Sequence, residues 1–302
     1  MGEISAALVK TLRERSGAGM MDCKRALTET AGDLESAIDW LRTHGLAAAA
    51  KKSGRATADG LIGLCVEGSR AAVVEVNSET DFVARNAVFQ EFVRGVAKLA
   101  LETGGDVEAL SRVAYPEAGQ TVGERLTHLI ATVGENMALR RTAALAVQDG
   151  LIGAYVHAAQ GEGLGRIGVL VAIEGGGGNP QVAQLAKQLA MHVAASNPIA
   201  VSREGVPADV LDREKRVIAE QAQASGKTGP VLEKIVGGRL NKFYQEVCLL
   251  EQPFVLDADR KVSAVVDQVA KDAGTPISIT GFVRFALGET TKAQADAADA
   301  SS

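Results

Sequence analysis

The sequence predicts an α+β fold: a small N-terminal bundle of three helices, a core of two related β-β-α units, and an inserted antiparallel helical hairpin. Three observations carry this. Asp59-Gly60-Leu61-Ile62-Gly63 recurs ninety residues later as Asp149-Gly150-Leu151-Ile152-Gly153. Each copy is followed by a second apolar run and then by a segment of helical period. Apolar residues also recur at helical spacing in the first 45 residues and again between 204 and 247.

Ile4, Leu8 and Leu12 define a first helix that Ser16-Gly17-Ala18-Gly19 breaks. A second helix starts near Asp22 and carries Cys23, Ala26 and Leu27. Ala31-Gly32-Asp33 ends it and caps a third, faced by Leu34, Ala37, Ile38 and Leu41 and stopped by Gly45. Three short helices bury little core, which fits a recognition head. Leu46 to Ala58 reads as a linker, helical at its start. In the first repeat unit Ala71-Ala72-Val73-Val74-Glu75-Val76 is the second strand, and Phe89, Phe92, Val93, Val96 and Leu99 mark the helix. In the second, Ile167 to Ile173 is the strand, and Val182, Leu185, Leu189 and Val193 mark the helix. The shared order of elements marks a duplication.

Val210, Leu211, Val217 and Ile218 lie on one helix of the hairpin. Leu232, Ile235, Val236 and Leu240 lie on the other, joined to the first by a Gly/Pro turn. Pro253 to Leu256 and Ile277 to Phe285 read as strands, with a helix through Val262, Val265, Val266 and Val269 between them. Arg140 and Arg141 read as the end of a helix. The organisation is therefore 1–54, helical head and linker; 55–148, first core unit; 149–202 with 251–287, second core unit; 203–250, hairpin; and 288–302, an Ala/Asp-rich flexible tail.

Composition narrows the function. A net charge of −5 argues against a surface for direct nucleic-acid binding. No run of about 18 apolar residues marks a membrane span, and Met1-Gly2-Glu3-Ile4 does not open a signal peptide. Cys23, Cys65 and Cys248 are widely spaced and odd in number, which fits a reducing cytoplasmic setting and neither a disulfide framework nor a zinc site. Cys23 reads as a small buried residue and His192 as a structural one on an apolar helix face.

Motifs for chemistry are sparse. The sequence has no G-x-S-x-G, H-E-x-x-H or C-x-x-C. Gly226-Lys227-Thr228 lacks the upstream glycine of a phosphate loop, since Gln221 stands there, and it follows a helix, so it reads as a helix–helix turn. Gly175 to Gly178 lacks dinucleotide-binding register and reads as a plain flexible loop. The two copies differ at the matching place: the first runs into Asn77-Ser78-Glu79-Thr80-Asp81-Phe82, the second only into those glycines. Thr80-Asp81-Phe82 has two readings. Ser78-x-x-Asp81 fits a capping box with Phe82 in the core. Alternatively, a carboxylate and an apolar ring are displayed together at a strand-to-helix junction, where they enter a partner.

Several long stretches decide the comparison. Leu12 to Leu27 (LRERSGAGMMDCKRAL), Glu75-Val76-Asn77, Thr80-Asp81-Phe82-Val83-Ala84-Arg85-Asn86, Gly134-Glu135-Asn136, Arg140-Arg141, Met191 to Ser196 and Gly281-Phe282-Val283-Arg284-Phe285 occur in order. Together they resemble the bacterial elongation factor Ts family over residues 1 to about 287. The resemblance implies a guanine-nucleotide exchange factor for elongation factor Tu, without covalent chemistry or a cofactor of its own. It implies a ubiquitin-associated-like head and a hairpin of the kind called the dimerisation domain, leaving self-association open. Thr80, Asp81, Phe82 and Val83 would be the contact segment that disturbs magnesium and phosphate on the GDP-loaded partner, with Val83 to Asn86 as helical support. Arg13, Met20 and Met21 would grip the same partner domain, and His157 a different one. Two departures stand out: the turn after His157 is longer than in the shortest members, and an Ala/Asp tail follows Glu289 where some members have a further helix. A binding module without exchange activity and a small-molecule enzyme using the Gly-rich loop remain the alternatives.

Overall fold

The computed structural model describes residues 4–289 except 17, 117–118 and 225–228. The expected turn at Gly226-Lys227-Thr228 and the tail from 290 onward lie outside the described residues.

The head is α1 (Ala6–Ser16), α2 (Met20–Glu29) and α3 (Leu34–Ala50). Leu12, Cys23, Ala26, Leu27 and Ala37 are fully buried between them. Asp33 caps α3 by accepting the Ser36 N–H at 2.8 Å. The expected stop at Gly45 does not occur, and α3 runs on to Ala50. Packing decides this. A Cβ at Gly45 would lie 3.2 Å from the Ala131 Cβ, so the missing side chain is what lets a later helix lie against α3. The alanines that follow are strong helix formers.

The core continues with β1 (Asp59–Glu67), β2 (Arg70–Ser78), α4 (Asp81–Ala84), α5 (Ala87–Thr103), α6 (Val107–Arg112), β3 (Ala114–Tyr115), β4 (Gln120–Thr121), α7 (Val122–Val133) and β5 (Met137–Ala146). Then follow β6 (Gly150–His157), β7 (Leu164–Gly165), β8 (Ile167–Glu174) and α8 (Pro180–Ser196). The hairpin is α9 (Ala208–Ala224) and α10 (Gly229–Val247), after which come β9 (Pro253–Phe254), β10 (Asp257–Lys261), α11 (Val262–Ala273) and β11 (Ser278–Ala286). Two main antiparallel sheets result, with strand orders β5-β2-β1-β7 and β11-β8-β6, beside the two-stranded pairs β3-β4 and β9-β10. Among the described residues no helix is long and apolar enough to cross a membrane.

The sheets stack face to face with a helix on each outer side. Leu61, Val74 and Val76 pack under Phe89, Phe92, Val93 and Val96 of α5. Their alternates Ile62, Ala71 and Val73 meet Ile152, Leu170 and Ala172 of the second sheet. Val169, Val171 and Ile173 then pack under Val182, Leu185, Leu189 and Val193 of α8. Strands covered on both faces read as continuous apolar runs instead of alternating ones.

The repeated pentapeptide has a steric reason. A Cβ at Gly60 would lie 2.2 Å from the Val76 carbonyl oxygen, and one at Gly150 would lie 1.9 Å from that of Ile173. Gly63 and Gly153 stand where α5 and α8 cross the strands: a Cβ there would come 2.7 Å from Val93 Cγ1 and 2.2 Å from the Ala186 carbonyl oxygen. The duplication extends further than β-β-α, because each sheet gains a third strand after its helix, β5 and β11. Both carry a bulge at the same register, opposite Glu75/Val76 in one sheet and Ala172/Ile173 in the other.

Four expectations change. Arg140 and Arg141 lie in β5, not at a helix end; their strand is held by pairing with β2. Only Pro253–Phe254 of the expected 253–256 strand is extended in a ladder, and Val255 and Leu256 are exposed beside the turn into β10. The Gly175 to Gly178 segment is a shaped turn: Gly175, Gly176 and Gly178 have positive φ, and a Cβ at Gly175 would lie 2.0 Å from the Pro276 carbonyl oxygen. The capping box proposed from Ser78 and Asp81 does not form, as described below.

Candidate functional site

Where β2 ends, the chain makes a tip. From Asn77, paired with Gly60, to the cap of α5 at Asn86 there are nine positions. From Glu174, paired with Gly150, to the equivalent cap of α8 at Asn179 there are five. The excess equals the four residues of α4, Asp81–Ala84. Asn86 and Asn179 cap in the same manner, accepting the N–H two residues on at 2.9 and 2.8 Å. The first unit therefore carries a one-turn insertion on a scaffold that its sister closes with glycines.

The turn has an anchored back and a free front. Val83 and Ala84 are buried in the first core, 3% and 0% exposed. Burying a valine side chain contributes about 1.5–3 kcal/mol. Phe82 is 76% exposed, so it is not the core residue of the capping alternative. The Asp81 carboxylate meets Arg85 at 2.7 Å, both side chains being solvent-accessible. Such a pair is worth about 0–1 kcal/mol, so the carboxylate exchanges partners cheaply. Val83 thus supports the tip from behind, while Asp81 and Phe82 stand in front.

Thr80 caps nothing with its side chain. Ser78 donates its hydroxyl to the Thr80 carbonyl oxygen at 2.9 Å instead of closing a box with Asp81. The Thr80 hydroxyl goes to Glu135 at 2.8 Å and its N–H to the same carboxylate at 3.1 Å. Glu79 in turn accepts the Asn136 N–H at 2.6 Å. At the far end, the Gln90 amide donates to the Ala84 carbonyl oxygen at 3.1 Å and to that of Gln160 at 3.2 Å. Sequence reasoning assigned no role to Glu79, Gln90, Glu135 or Asn136, although Gly134-Glu135-Asn136 was visible as a motif.

The other residues singled out fall in two places. Arg13, Met20 and Met21 come together, lining an apolar groove of the head with Ile4, Val9 and Lys24. Met20 is 58% and Met21 75% exposed. The end of α1 (Glu14, Arg15, Ser16) shares a cleft with Val88 and Glu91, on the first turn of α5 just behind the tip. His157 ends β6, exposed, with Nδ1 3.2 Å from the Tyr155 hydroxyl. The excursion after it is braced. Its strand β7 joins β1, Leu64 donates its N–H to the Gly163 carbonyl at 2.8 Å, and Arg166 pairs with Asp59 at 2.8 Å.

Beneath the tip lies a buried ion cluster. Glu75, fully buried, meets Arg140 at 2.9 Å and Arg141 at 2.6 Å. Neighbouring residues of a strand point to opposite faces, and the bulge makes Arg140 the extra residue, so both guanidiniums reach one carboxylate. Asn77 adds a hydrogen bond to Glu75 at 3.0 Å. Arg141 stacks over Phe285 at 4.1 Å and reaches Glu289 at 3.4 Å, while Arg284 also pairs with Glu289. The cluster ties β2 and β5 to the end of β11. Among the described residues, no group of three or more His, Cys, Asp or Glu is placed to hold a metal ion.

With a ring and a carboxylate held out on a braced one-turn insertion and an exposed apolar groove in the head, the molecule is an α+β protein with two exposed apolar features. Residues 79–289 match the family model described as Elongation factor TS. The chain is 57% identical over 290 residues to the elongation factor Ts of Rhodospirillum rubrum, covering 96% of this chain and 94% of that one. It is 56% identical to that of Paramagnetospirillum magneticum over 96% of this chain and 93% of the relative, and 54% identical to that of Agrobacterium fabrum over 96% and 94%. The chain belongs to the elongation factor Ts family of translation elongation factors.

Proposed function

We propose that this protein speeds GDP release from elongation factor Tu by inserting Phe82 and Asp81 beside the partner's bound magnesium, so that GTP can reload. The observation that carries the reading is the 76% exposure of Phe82 on a turn whose next two residues are buried. An aromatic ring costs free energy in water, and one held rigidly outward is prepared to enter a pocket. A GTPase that holds nucleotide at nanomolar affinity has about −12 kcal/mol of binding free energy to overcome. A factor opposes it only by reciprocal coupling, weakening nucleotide by the ratio in which nucleotide weakens the factor. Magnesium neutralises phosphate charge, so an incoming carboxylate with a wedging ring acts where coupling is strongest. Thr80 holds the entry to this turn.

In the same reading the groove of Arg13, Met20 and Met21 grips the GTPase domain, Met being an adaptable contact residue, and His157 engages a second partner domain. The division into head, two core units and hairpin at the boundaries given above belongs to this proposal. So does self-association through α9 and α10, where Val217 and Val231 are exposed; sedimentation reads it. The site of action is the cytoplasm, with the translation machinery.

The test is release of fluorescent GDP from elongation factor Tu with and without the protein, and with the Asp81→Ala, Phe82→Ala double variant. Acceleration by wild type and loss of it in the double variant support the reading. No acceleration by wild type ends it in favour of a binding module. Undiminished acceleration by the double variant keeps the function and removes the site.

A further inference from the structure

We propose that Glu135, crossed with Glu79, is the positioning residue of the tip: it sets the geometry of Asp81 and Phe82 without touching the partner's nucleotide site. The proposal rests on the exchange reading above and deepens it.

The geometry is reciprocal. The Glu135 carboxylate receives the Thr80 hydroxyl at both oxygens, 2.8 and 3.0 Å, and the Thr80 N–H at 3.1 Å. One residue earlier and one later, Glu79 receives the Asn136 N–H at 2.6 Å. Two adjacent pairs, 79–80 and 135–136, thus exchange carboxylates. Hydrogen bonds to a charged acceptor are the stronger kind and demand alignment. The Asn136 side chain, 6% exposed as a residue, extends the clasp to the segment leaving α3, donating to the Arg55 carbonyl at 2.8 Å and that of Ser53 at 3.4 Å. Arg55 closes the ring on Glu79 at 3.4 Å.

Two features separate this from ordinary loop packing. First, Thr80 occupies the N-cap of α4 and leaves that role unfilled, since its hydroxyl is turned to Glu135. Secondly, the fixed points bracket the working residues. Thr80 is held before Asp81 and Phe82 by Glu135, and Ala84 after them by Gln90. Between the two clamps stand one exposed ring and one accessible carboxylate. A turn of this length held at both ends enters a pocket without first being ordered there. Gln90 also holds Gln160 in the excursion after His157, and Asn136 holds the connector of the head. The two clamps therefore tie the tip to the connector that leaves the head and to the second-unit loop.

The experiment compares Glu135→Ala, Glu135→Gln, Thr80→Val and the Glu135→Ala, Thr80→Val double variant in two assays. In fluorescent-GDP release from elongation factor Tu at saturating factor, Thr80→Val slows release about tenfold, the loss of one charge-assisted hydrogen bond, and Glu135→Ala slows it at least as much, because the Thr80 N–H loses its acceptor as well. The double variant is no slower than Glu135→Ala, because that variant has already lost the hydroxyl contact that Thr80→Val removes. Glu135→Gln, which keeps one acceptor, falls between. The half-saturating concentration moves less than the rate, since the head groove and His157 are intact. Multiplicative losses, an unchanged rate in Glu135→Ala, or a loss confined to half-saturation each overturn the proposal. The second assay is amide hydrogen exchange of residues 80–84 in the protein alone. Faster exchange there in Glu135→Ala, with protection of α5 retained, supports the clasp; unchanged exchange overturns it. If wild type fails to release GDP at all, the exchange reading falls, and the second assay still decides the clasp.

Discussion

Phe82→Ala isolates the ring. An aromatic side chain presents roughly 150–250 Å², and 76% of Phe82 stands in solvent. Docking it into a pocket therefore removes on the order of 130 Å² of apolar area, about 3 kcal/mol at ~25 cal/mol per Å². Ordering the interface takes back part of this, leaving about 2 kcal/mol, or roughly thirtyfold in rate. Folding should hardly notice: a surface truncation away from caps and cores changes stability by about 0.5 kcal/mol or less. The assay is the dependence of fluorescent-GDP release on factor concentration, with a urea titration of the variant alongside. The expected pair is a roughly thirtyfold lower apparent second-order rate constant and an unchanged urea midpoint. Phe82→Leu, retaining most of the apolar area, should lie between. Exchange at the wild-type rate would refute the wedge. A midpoint that falls in step with exchange would show that the ring holds the fold instead of meeting a partner.

Glu75→Gln leaves Arg140 and Arg141 facing a neutral group in a half-buried site; a loss of about 3 kcal/mol is expected, read from the urea midpoint. Gly153→Ala puts a Cβ 2.2 Å from a backbone oxygen of α8, whereas Gly63→Ala meets a side-chain methyl of Val93 at 2.7 Å. The first should cost about 3 kcal/mol and the second about 1, and the reverse order in urea titrations would undo the account of the repeat. His192 is fully buried, and burial pulls its pKa below the ordinary 6.5 despite its hydrogen bond to Gln252. Val255 donates its N–H to Nδ1 at 3.1 Å, so the ring is neutral with its proton on Nε2, facing Gln252 Oε1 at 2.8 Å. The unfolded chain takes the proton first, so this stabilisation is complete above about pH 6.5 and drains as pH falls from there towards the folded-state value. His128, shifted the same way by burial and Arg125, adds to the slope. His192→Gln should flatten the fall of the urea midpoint between neutral and mildly acidic pH, leaving the part due to His128; an unchanged slope would sink the assignment.

The outer helices were legible because Phe89, Phe92, Val93 and Val96, and later Val182, Leu185, Leu189 and Val193, keep a helical period that the core then buries. The repeat was legible because two glycines per copy are sterically forced. β5 was hidden: Met137 to Ala146 mixes two arginines with small residues, and its extended form comes from partners on β2 that lie about sixty residues or more away. Gly45 misled for the opposite reason, since a local helix breaker became a packing contact with α7. At the tip, the capping alternative failed because Ser78 bonds to the Thr80 carbonyl oxygen and Phe82 stands in solvent, while Thr80 is held by Glu135, which is 55 residues away in sequence. Bonds of that span leave no mark in a local pattern.

The duplication explains how a scaffold can carry an extra turn on an unchanged framework. Both units fold by the same demands: a close strand approach at Gly60 or Gly150, a helix crossing at Gly63 or Gly153, an asparagine cap on a helix of 17 residues. None of these involves the four residues that distinguish the first unit. Those four are divided by role, with Val83 and Ala84 spent on the core and Asp81 and Phe82 left over. The same register that carries Ala172 in the second unit carries Glu75 in the first, and the bulge that places Thr280 there places Arg140 here. So the unit with the exposed tip also has the buried ion cluster, one strand residue from Val76 and two from Asn77. Charge buried beneath an exposed turn costs stability, and the sister unit does without it. The cluster lies three residues before the end of the strand that leads into the clasp, and it ties that strand to β5 and to the end of β11.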